Sequence, residues 1–201
     1  MAEHYFSENP AGEYKQRLIS VTLAGVKAEV ITASSVFSPE HIDQGTEVLL
    51  SQLDLASQSG TLLDIGSGWG PIALSLGLHS PKSKIYAIDV NERSLELTKL
   101  NAEKLEVQNI VACKPNEVPD ELMFDQIWSN PPIRIGKAAL HEILLTWLPR
   151  LVSGGNAYLV VQKNLGSDSL QKWLELEFKQ GFEVSRMTSI KSFRILKVSK
   201  L

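Results

Sequence analysis

The segment LLDIGSGWGPIAL, residues 62–74, decides the fold. It starts as an apolar strand that ends in Asp64, turns through glycine at every second position, and continues as a helix. Glycine lets the backbone take positive φ and approach a ligand closely, and the free N–H groups at a helix start attract polar ligand groups. The spacing is G-x-G-x-G, whereas nicotinamide-binding folds carry G-x-G-x-x-G. The segment therefore predicts a strand–turn–helix unit and disfavours an NAD-dependent reductase.

The glycine turn suits the amino-acid part of S-adenosylmethionine (SAM). This loop is shorter than one that cradles a pyrophosphate, and the acid before it would repel one. The alternative is a glycine cluster that only joins a strand to a helix. The residues predicted to contact the cofactor here are Asp64, Gly66, Ser67, Gly68 and Gly70.

An acidic residue stands at the tip of the next predicted strand, KIYAID, which ends in Asp89. A carboxylate at this place, about 20 residues after a glycine turn, can accept both ribose hydroxyls of a bound nucleoside. The alternative is a cap for the helix that follows, although Asn91 could serve that purpose. We predict that Asp89 and the adjacent Val90 belong to the cofactor site.

Strand and helix patterns alternate on both sides of the glycine turn, which predicts a parallel sheet with helices on both faces. The helical patterns include residues 40–56 and residues 138–152, the latter closed by Gly154 and Gly155. Two strands, 181–190 and 192–200, end the chain with no helix between them, so one of them must be antiparallel. We predict an α/β, three-layer, Rossmann-like class I methyltransferase fold. Its sheet is mostly parallel and seven-stranded, with a C-terminal antiparallel hairpin strand.

Length and composition fit one main domain with an N-terminal extension. The 201 residues are 43% hydrophobic and 21% charged, an ordinary globular balance. Alternating patterns around Gly25 predict a β-hairpin, so we divide the chain into an extension, 1–38, and a SAM-dependent methyltransferase domain, 39–201.

Several classes of protein are disfavoured by the sequence. A single Cys113 excludes an internal disulfide, and the four histidines show no metal-ligand spacing, so we predict no metal. The first ten residues, MAEHYFSENP, lack a basic stretch followed by an apolar run, so we expect no secretory signal. No apolar run approaches the ~20 residues of a membrane span. We expect a cytoplasmic protein, and the net charge of −3 neither indicates nor excludes a nucleic-acid partner.

The sequence SNPPI at the end of the predicted strand FDQIWS indicates which kind of group would receive the methyl. Ligands sit at the carboxyl ends of strands in open α/β sheets. The Asn130 amide oxygen and the Pro131 carbonyl could both accept hydrogen bonds from a planar NH₂ group, whose lone pair would then face the sulfonium methyl. In this kind of transfer, holding the amine in the right position and orientation supplies most of the rate enhancement. The alternative is a plain turn, since Asn-Pro is common in turns. The predicted catalytic residues are Asn130, Pro131, Pro132 and Ile133.

Together, the motifs DIGSGWG, AIDV and SNPPI resemble those of the methyltransferase small domain family of N-methyltransferases. The upstream segment SVFSPEHIDQGTEVLLSQL is similar to the entry segment of that family. The nearest group is the small-subunit ribosomal RNA guanine-N2 methyltransferase C type. The resemblance covers roughly residues 34–200 and is closest to the short, single-domain members.

The resemblance implies further site residues. Asp43 and Thr46 of the entry segment would close over the far side of the cofactor, and Asn116 would lie near the adenine ring. Many relatives carry an aromatic residue after Asn-Pro-Pro, where this chain has Ile133. That departure weakens the case for an adenine-N6 or glutamine substrate and leaves guanine-N2 possible.

Positive residues directly after the catalytic turn are candidates for RNA contact. We expect Arg134 and Lys137 to contact phosphates, although ordinary solvated charges are the alternative. The aromatic residues Trp147 and Phe193 are predicted to be core residues of a helix and of the last strand.

Three functions remain open from the sequence. The first is an enzyme that methylates the exocyclic amine of a guanine in ribosomal RNA, with ribosomal RNA or the small subunit as partner. The second is a methyltransferase for a protein side-chain amide or a small-molecule amine. The third is a SAM fold kept as a non-catalytic RNA-binding module.

Overall fold

The computed structural model describes residues 14–201. Two predictions fall on residues outside this range: that the first ten residues are not a secretory signal, and the first part of the extension 1–38. The strands are β1 (Gln16–Leu23), β2 (Val26–Ala33), β3 (Ser59–Ile65), β4 (Lys82–Ile88), β5 (Ile110–Cys113), β6 (Phe124–Ser129), β7 (Leu151–Gln162), β8 (Phe182–Ile190) and β9 (Phe193–Lys200). The α-helices are α1 (Gln44–Leu50), α2 (Pro71–His79), α3 (Glu92–Lys104), α4 (Lys137–Trp147) and α5 (Ser167–Glu177).

A seven-stranded sheet organises the chain, in the order β5-β4-β3-β6-β7-β9-β8. The five strands from β5 to β7 pair in parallel, whereas β9 is antiparallel to both β7 and β8. The predicted α/β fold, with a mostly parallel sheet and an antiparallel C-terminal hairpin strand, is therefore confirmed. The sheet brings the carboxyl ends of β3, β4, β6 and β7 to one edge.

Helices cover both faces of this sheet. On one face, α4 and α5 pack through Leu144 and Leu174, which are both fully buried. On the other face, α1 and α2 pack through Leu49 and Leu76, which are also fully buried. The sheet is therefore the middle layer between two apolar cores.

The predicted N-terminal hairpin is also confirmed, because β1 and β2 pair antiparallel around Gly25. Its inner face joins a third core cluster with residues of the glycine turn and of α2 and α3, including Trp69 and Leu97. The Asn101 side chain of α3 hydrogen-bonds both backbone groups of Ile31 and the carbonyl of Trp69. The hairpin is thereby tied to the glycine turn. The boundary at residue 38 stays a prediction.

Two helix predictions need correction. The helix expected over residues 40–56 is shorter, because the Asp43 side chain accepts from Gly45 N–H and starts α1 at Gln44. The helix expected to close at Gly154 and Gly155 ends at Trp147 instead, since Pro149 has no N–H to continue it.

The two glycines lie within β7. A Cβ at Gly155 would stand 3.0 Å from the carbonyl oxygen of Asp125, so glycine permits the close approach of β6 at an irregular register.

Between residues 14 and 201, no helix is long and apolar enough to cross a membrane.

Candidate active site

A cavity of about 260 Å³ opens at the carboxyl ends of β3, β4, β6 and β7. Its walls bring together the glycine turn, the tip of β4 and the turn after β6, three regions that the sequence singled out. The predicted residues on its wall are Asp43, Gly66, Gly68, Asp89, Val90, Asn130, Pro131, Pro132, Ile133 and Arg134.

The glycine turn has the backbone that its sequence predicts. Gly66, Gly68 and Gly70 all take positive φ, between 56° and 99°, a region that other residues rarely adopt. The amides of Gly66 and Ser67 both bond to the carbonyl of Ile88, which ties the turn to the end of β4. A Cβ at Gly66 or Gly68 would meet no atom of residues 14–201 within 4 Å, so the bare backbone faces open space beside the cavity.

Asp89 lies at the tip of β4 with its carboxylate half-buried at the cavity wall. One oxygen accepts the N–H of Gly68 at 2.9 Å, and the other accepts the N–H of Asn91 at 2.9 Å. A carboxylate has about four acceptor sites, so Asp89 keeps acceptor capacity for another donor. The Asn91 side chain caps α3 by accepting from Arg93 N–H, so Asp89 is not the N-cap of this helix. Burial raises the pKa of Asp89, and hydrogen bonds from the backbone of Asn91, Gly68 and Val90 oppose that rise.

Asp64 lies fully buried behind the glycine turn. One of its carboxylate oxygens accepts from Ala73 N–H at 3.0 Å, whereas the other oxygen has no hydrogen-bond partner among residues 14–201. Burial raises the pKa of Asp64 to about 8, and the nearby Asp89 charge adds to that rise. In the described part of the chain, the Ser67 hydroxyl is a second buried polar group without a hydrogen-bond partner.

Asp64 should make the stability of the cofactor-free protein depend on pH. Its folded pKa of about 8 stands above the ordinary value of 3.8, so between these values the folded protein holds a proton that the unfolded chain releases. The free energy of unfolding should therefore fall as pH rises through this window. Asp64→Asn removes the titrating group and should flatten the fall, which urea unfolding at pH 5 and pH 8 would measure.

A matched control is Asp54→Asn, which makes the same change at an exposed position. We expect it to keep the pH slope of the natural protein. Parallel slopes for Asp64→Asn and the natural protein would contradict the raised pKa.

The Asn-Pro-Pro turn begins where β6 ends, and that end is held by a bond from the Ser129 hydroxyl to the carbonyl of Ile65 at 2.8 Å. The Pro131 carbonyl accepts from Ile133 N–H at 2.8 Å, which leaves it one further acceptor site. The Asn130 side chain is half-buried at the cavity wall, and its amide nitrogen donates to the side chains of Asp43 and Thr46. The turn therefore presents an amide and a carbonyl to the same space.

Some predicted residues lie off this wall. Thr46 and Ser67 line a smaller recess that adjoins the cavity beside Asn130. Asp64 and Gly70 lie behind the turn, where Gly70 packs against Thr98. Neither of the exposed side chains of Asn116 and Lys137 lines the part of the cavity formed by residues 14–201. Their predicted roles stay predictions.

The structure adds wall residues that the sequence did not assign to the site. They include Phe37, Ile143, Trp147, Leu165 and Phe193. Phe37 is 46% exposed, and its place in the entry segment was a signal that could have found it. Trp147 and Phe193 are buried core residues, as predicted, yet they also line the cavity. No local pattern distinguishes such a wall residue from an ordinary core residue. Within residues 14–201, no group of three or more His, Cys, Asp and Glu side chains is placed to hold a metal ion.

A family model described as "Methyltransferase small domain" matches residues 27–197. Over 204 aligned residues, the chain is 34% identical to "Uncharacterized protein YbxB" of Bacillus subtilis, and the alignment covers 100% of both chains. It is 31% identical to "Ribosomal RNA small subunit methyltransferase C" of Shewanella loihica, over 70% of this chain and 42% of that protein. The chain thus spans less than half the length of that second relative.

Among solved structures, the chain is similar to the 16S rRNA N2 G1207 methyltransferase (RsmC) of T. thermophilus, in complex with AdoMet and guanosine. The TM-score is 0.79 at 20% identity, over 96% of this chain and 52% of that one. A precorrin-6y C5,15-methyltransferase from Geobacter metallireducens has a TM-score of 0.61 at 23% identity, covering 85% of this chain and 94% of that chain. At these identities the likeness shows a shared fold.

Proposed function

Because the chain belongs to the methyltransferase small domain family, we propose that it transfers the methyl group of SAM to the exocyclic amine of a guanine in ribosomal RNA. The observation that carries the proposal is the position of Asn130, on the wall of the same cavity as Gly66, Gly68 and Asp89. A cofactor site and an amine-binding turn thus share one space. A cytoplasmic location remains the prediction from the sequence.

The residues around the glycine turn fit SAM. The open backbone at Gly66 and Gly68 leaves room for its methionine part. Asp64 lies behind this backbone rather than on the cavity wall, and the nearby cationic ammonium group of SAM would favour its ionised carboxylate. The remaining acceptor capacity of Asp89 suits the ribose hydroxyls.

The turn after β6 would hold the amine. The Asn130 amide oxygen and the free acceptor site of the Pro131 carbonyl each accept one N–H of a planar NH₂ group. That arrangement leaves the nitrogen lone pair perpendicular to the plane of the group. When bound, SAM supplies a sulfonium methyl group.

The chain's contribution to the transfer is orientation. SAM would supply the methyl group and leave as S-adenosylhomocysteine, while the amine held by Asn130 and Pro131 would release one N–H proton to solvent. No strong base is needed before attack, so the reaction depends on the placement of the amine by Asn130 and Pro131.

The family resemblance and the apolar wall favour a nucleobase as the amine carrier. Ile133 and Phe37 offer apolar surfaces beside Asn130, where a flat ring could lie. The exposed Arg134 stands on the cavity wall and could reach a phosphate. Both features suit an RNA nucleotide.

The test is transfer of labelled methyl from SAM to free ribosomal RNA and to small subunits, followed by digestion to nucleosides. N2-methylguanosine is the expected product. A different methylated nucleoside would overturn the guanine-N2 assignment. Label in protein alone would point to a side-chain amide, and SAM binding without transfer to any acceptor would indicate a binding module.

Salt should weaken methylation if the substrate is RNA. Each phosphate contact that releases a counterion contributes roughly 0.7 to the log–log salt slope on single strands. We expect Arg134→Ala to raise KM for RNA and to reduce that slope by about this amount. Measuring kcat/KM between low and moderate salt would check this.

The matched control is Lys179→Ala, which removes an exposed positive charge that follows α5. It should leave both KM and the salt slope unchanged. A slope near zero for the natural protein would contradict an RNA substrate and favour a small-molecule amine.

A further inference from the structure

The amide of the proposed catalytic residue Asn130 is held from behind by α1. Its nitrogen donates to the Asp43 carboxylate at 2.9 Å and to the Thr46 hydroxyl at 3.1 Å. Thr46 is 3% exposed, so this contact is sheltered from water. Both hydrogens of the amide nitrogen therefore have partners in the first turn of one helix or its cap.

The chemistry of Asp43 fixes which way this amide faces. A carboxylate only accepts hydrogen bonds, so the NH₂ side of the amide must point toward it. The same Asp43 oxygen also accepts from Gly45 N–H at 2.8 Å, so the carboxylate is anchored as the cap of α1. The amide oxygen of Asn130 is left on the opposite side of the group.

Gly45 leaves the space that this arrangement needs. A Cβ at this position would stand 2.9 Å from the Asp43 carboxylate oxygen, 3.0 Å from the Phe193 ring and 3.3 Å from the Asn130 amide nitrogen. Its φ is not positive, so packing alone accounts for the glycine here. A larger residue would push on both members of the pair.

We infer that Asp43, Gly45 and Thr46 are positioning residues that lock the Asn130 amide with its oxygen toward the methyl-accepting amine. This inference rests on the proposed function, and it gives the entry segment a task that the family resemblance did not assign. The lock excludes the flipped amide, which would present N–H donors to the substrate amine and repel it.

Exchanging the two side chains tests the lock. Asp43→Asn leaves two amides facing each other, and we expect kcat to fall about 10- to 100-fold while the SAM Kd stays within about twofold. Asn130→Asp places two carboxylates against each other and should lower kcat further. The double variant D43N/N130D restores one amide–carboxylate bond, with an oxygen still facing the amine.

The double variant should recover at least about tenfold in kcat over Asn130→Asp, because the charge repulsion is gone. A merely structural role of Asp43 predicts losses that add, with no such recovery. The matched control is Glu47→Gln, the same kind of change at an exposed position on α1. It should leave kcat unchanged.

Two results would overturn the lock while the proposed function stands. One is a natural kcat in Asp43→Asn. The other is a SAM Kd that rises as much as kcat falls, which would make Asp43 a cofactor contact.

The lock can also be tested without an activity assay, by measuring hydrogen exchange of the Asn130 side-chain amide with NMR. We expect slow exchange in the natural protein and fast exchange in both Asp43→Asn and Thr46→Val. If the natural protein methylates no RNA yet shows this protection, the proposed function fails while the lock stands. Equal, fast exchange in all three proteins would overturn the lock.

Discussion

Asn130→Ala should lower methyl transfer about 100- to 1000-fold while SAM binding remains close to that of the natural protein. The substitution removes the amide oxygen that would accept the amine N–H, and the Pro131 carbonyl alone leaves the amine free to rotate. Gly66, Gly68 and Asp89, the residues proposed to bind the cofactor, come from other elements and should keep their positions. Single-turnover transfer at saturating SAM, together with calorimetric SAM binding, would separate the two effects.

The control for this prediction is Asn164→Ala, which removes an exposed amide after β7. It should transfer methyl at the natural rate. An Asn130→Ala protein that retained more than about a tenth of the natural rate would contradict the amine-holding role, since loss of one such contact costs more.

Asp89→Ala should raise the SAM Kd by about 100- to 1000-fold, because two charge-assisted hydrogen bonds to the ribose are lost together. It also removes the acceptor of the Gly68 and Asn91 amides, which loosens the glycine turn. At saturating SAM, kcat should change much less than Kd, because the amine site is untouched. Equilibrium dialysis and kinetics over a wide SAM range would measure both quantities.

The intermediate variant is Asp89→Asn, which keeps the shape and one acceptor oxygen but loses the charge. Its Kd should lie between those of the natural protein and Asp89→Ala. An unchanged Kd in Asp89→Ala would show that the carboxylate serves only to brace the turn.

Features set by neighbouring residues were predictable from the sequence. The glycine turn depends on three glycines within five residues, and all three take positive φ. The order of strands and helices follows from local periodicity, so the mostly parallel sheet could be predicted with its antiparallel end. The Asn-Pro-Pro turn is equally local.

Contacts between distant residues could not be predicted in this way. Asn130 and Asp43 lie 87 positions apart, and no sequence pattern in either segment predicts their hydrogen bond. The glycines at 154 and 155 were misread as a helix end. Gly155 allows the close approach of β6, a contact with a segment distant in sequence, whereas Gly154 takes a positive φ of 80°. Pro149, which ends the helix, was the better local signal.

The order of strands in the sheet has a consequence for how the protein is made. The strand β9 inserts between β7 and β8, although it follows both in the chain. Its first residue, Phe193, forms part of the cavity wall and packs near Gly45. During synthesis, therefore, a nascent chain that has reached residue 190 exposes an unpaired edge of β7, a hazard for aggregation. The wall of the cavity is complete only when β9 has paired with β7, so the candidate active site forms after both β7 and β8 have been synthesised.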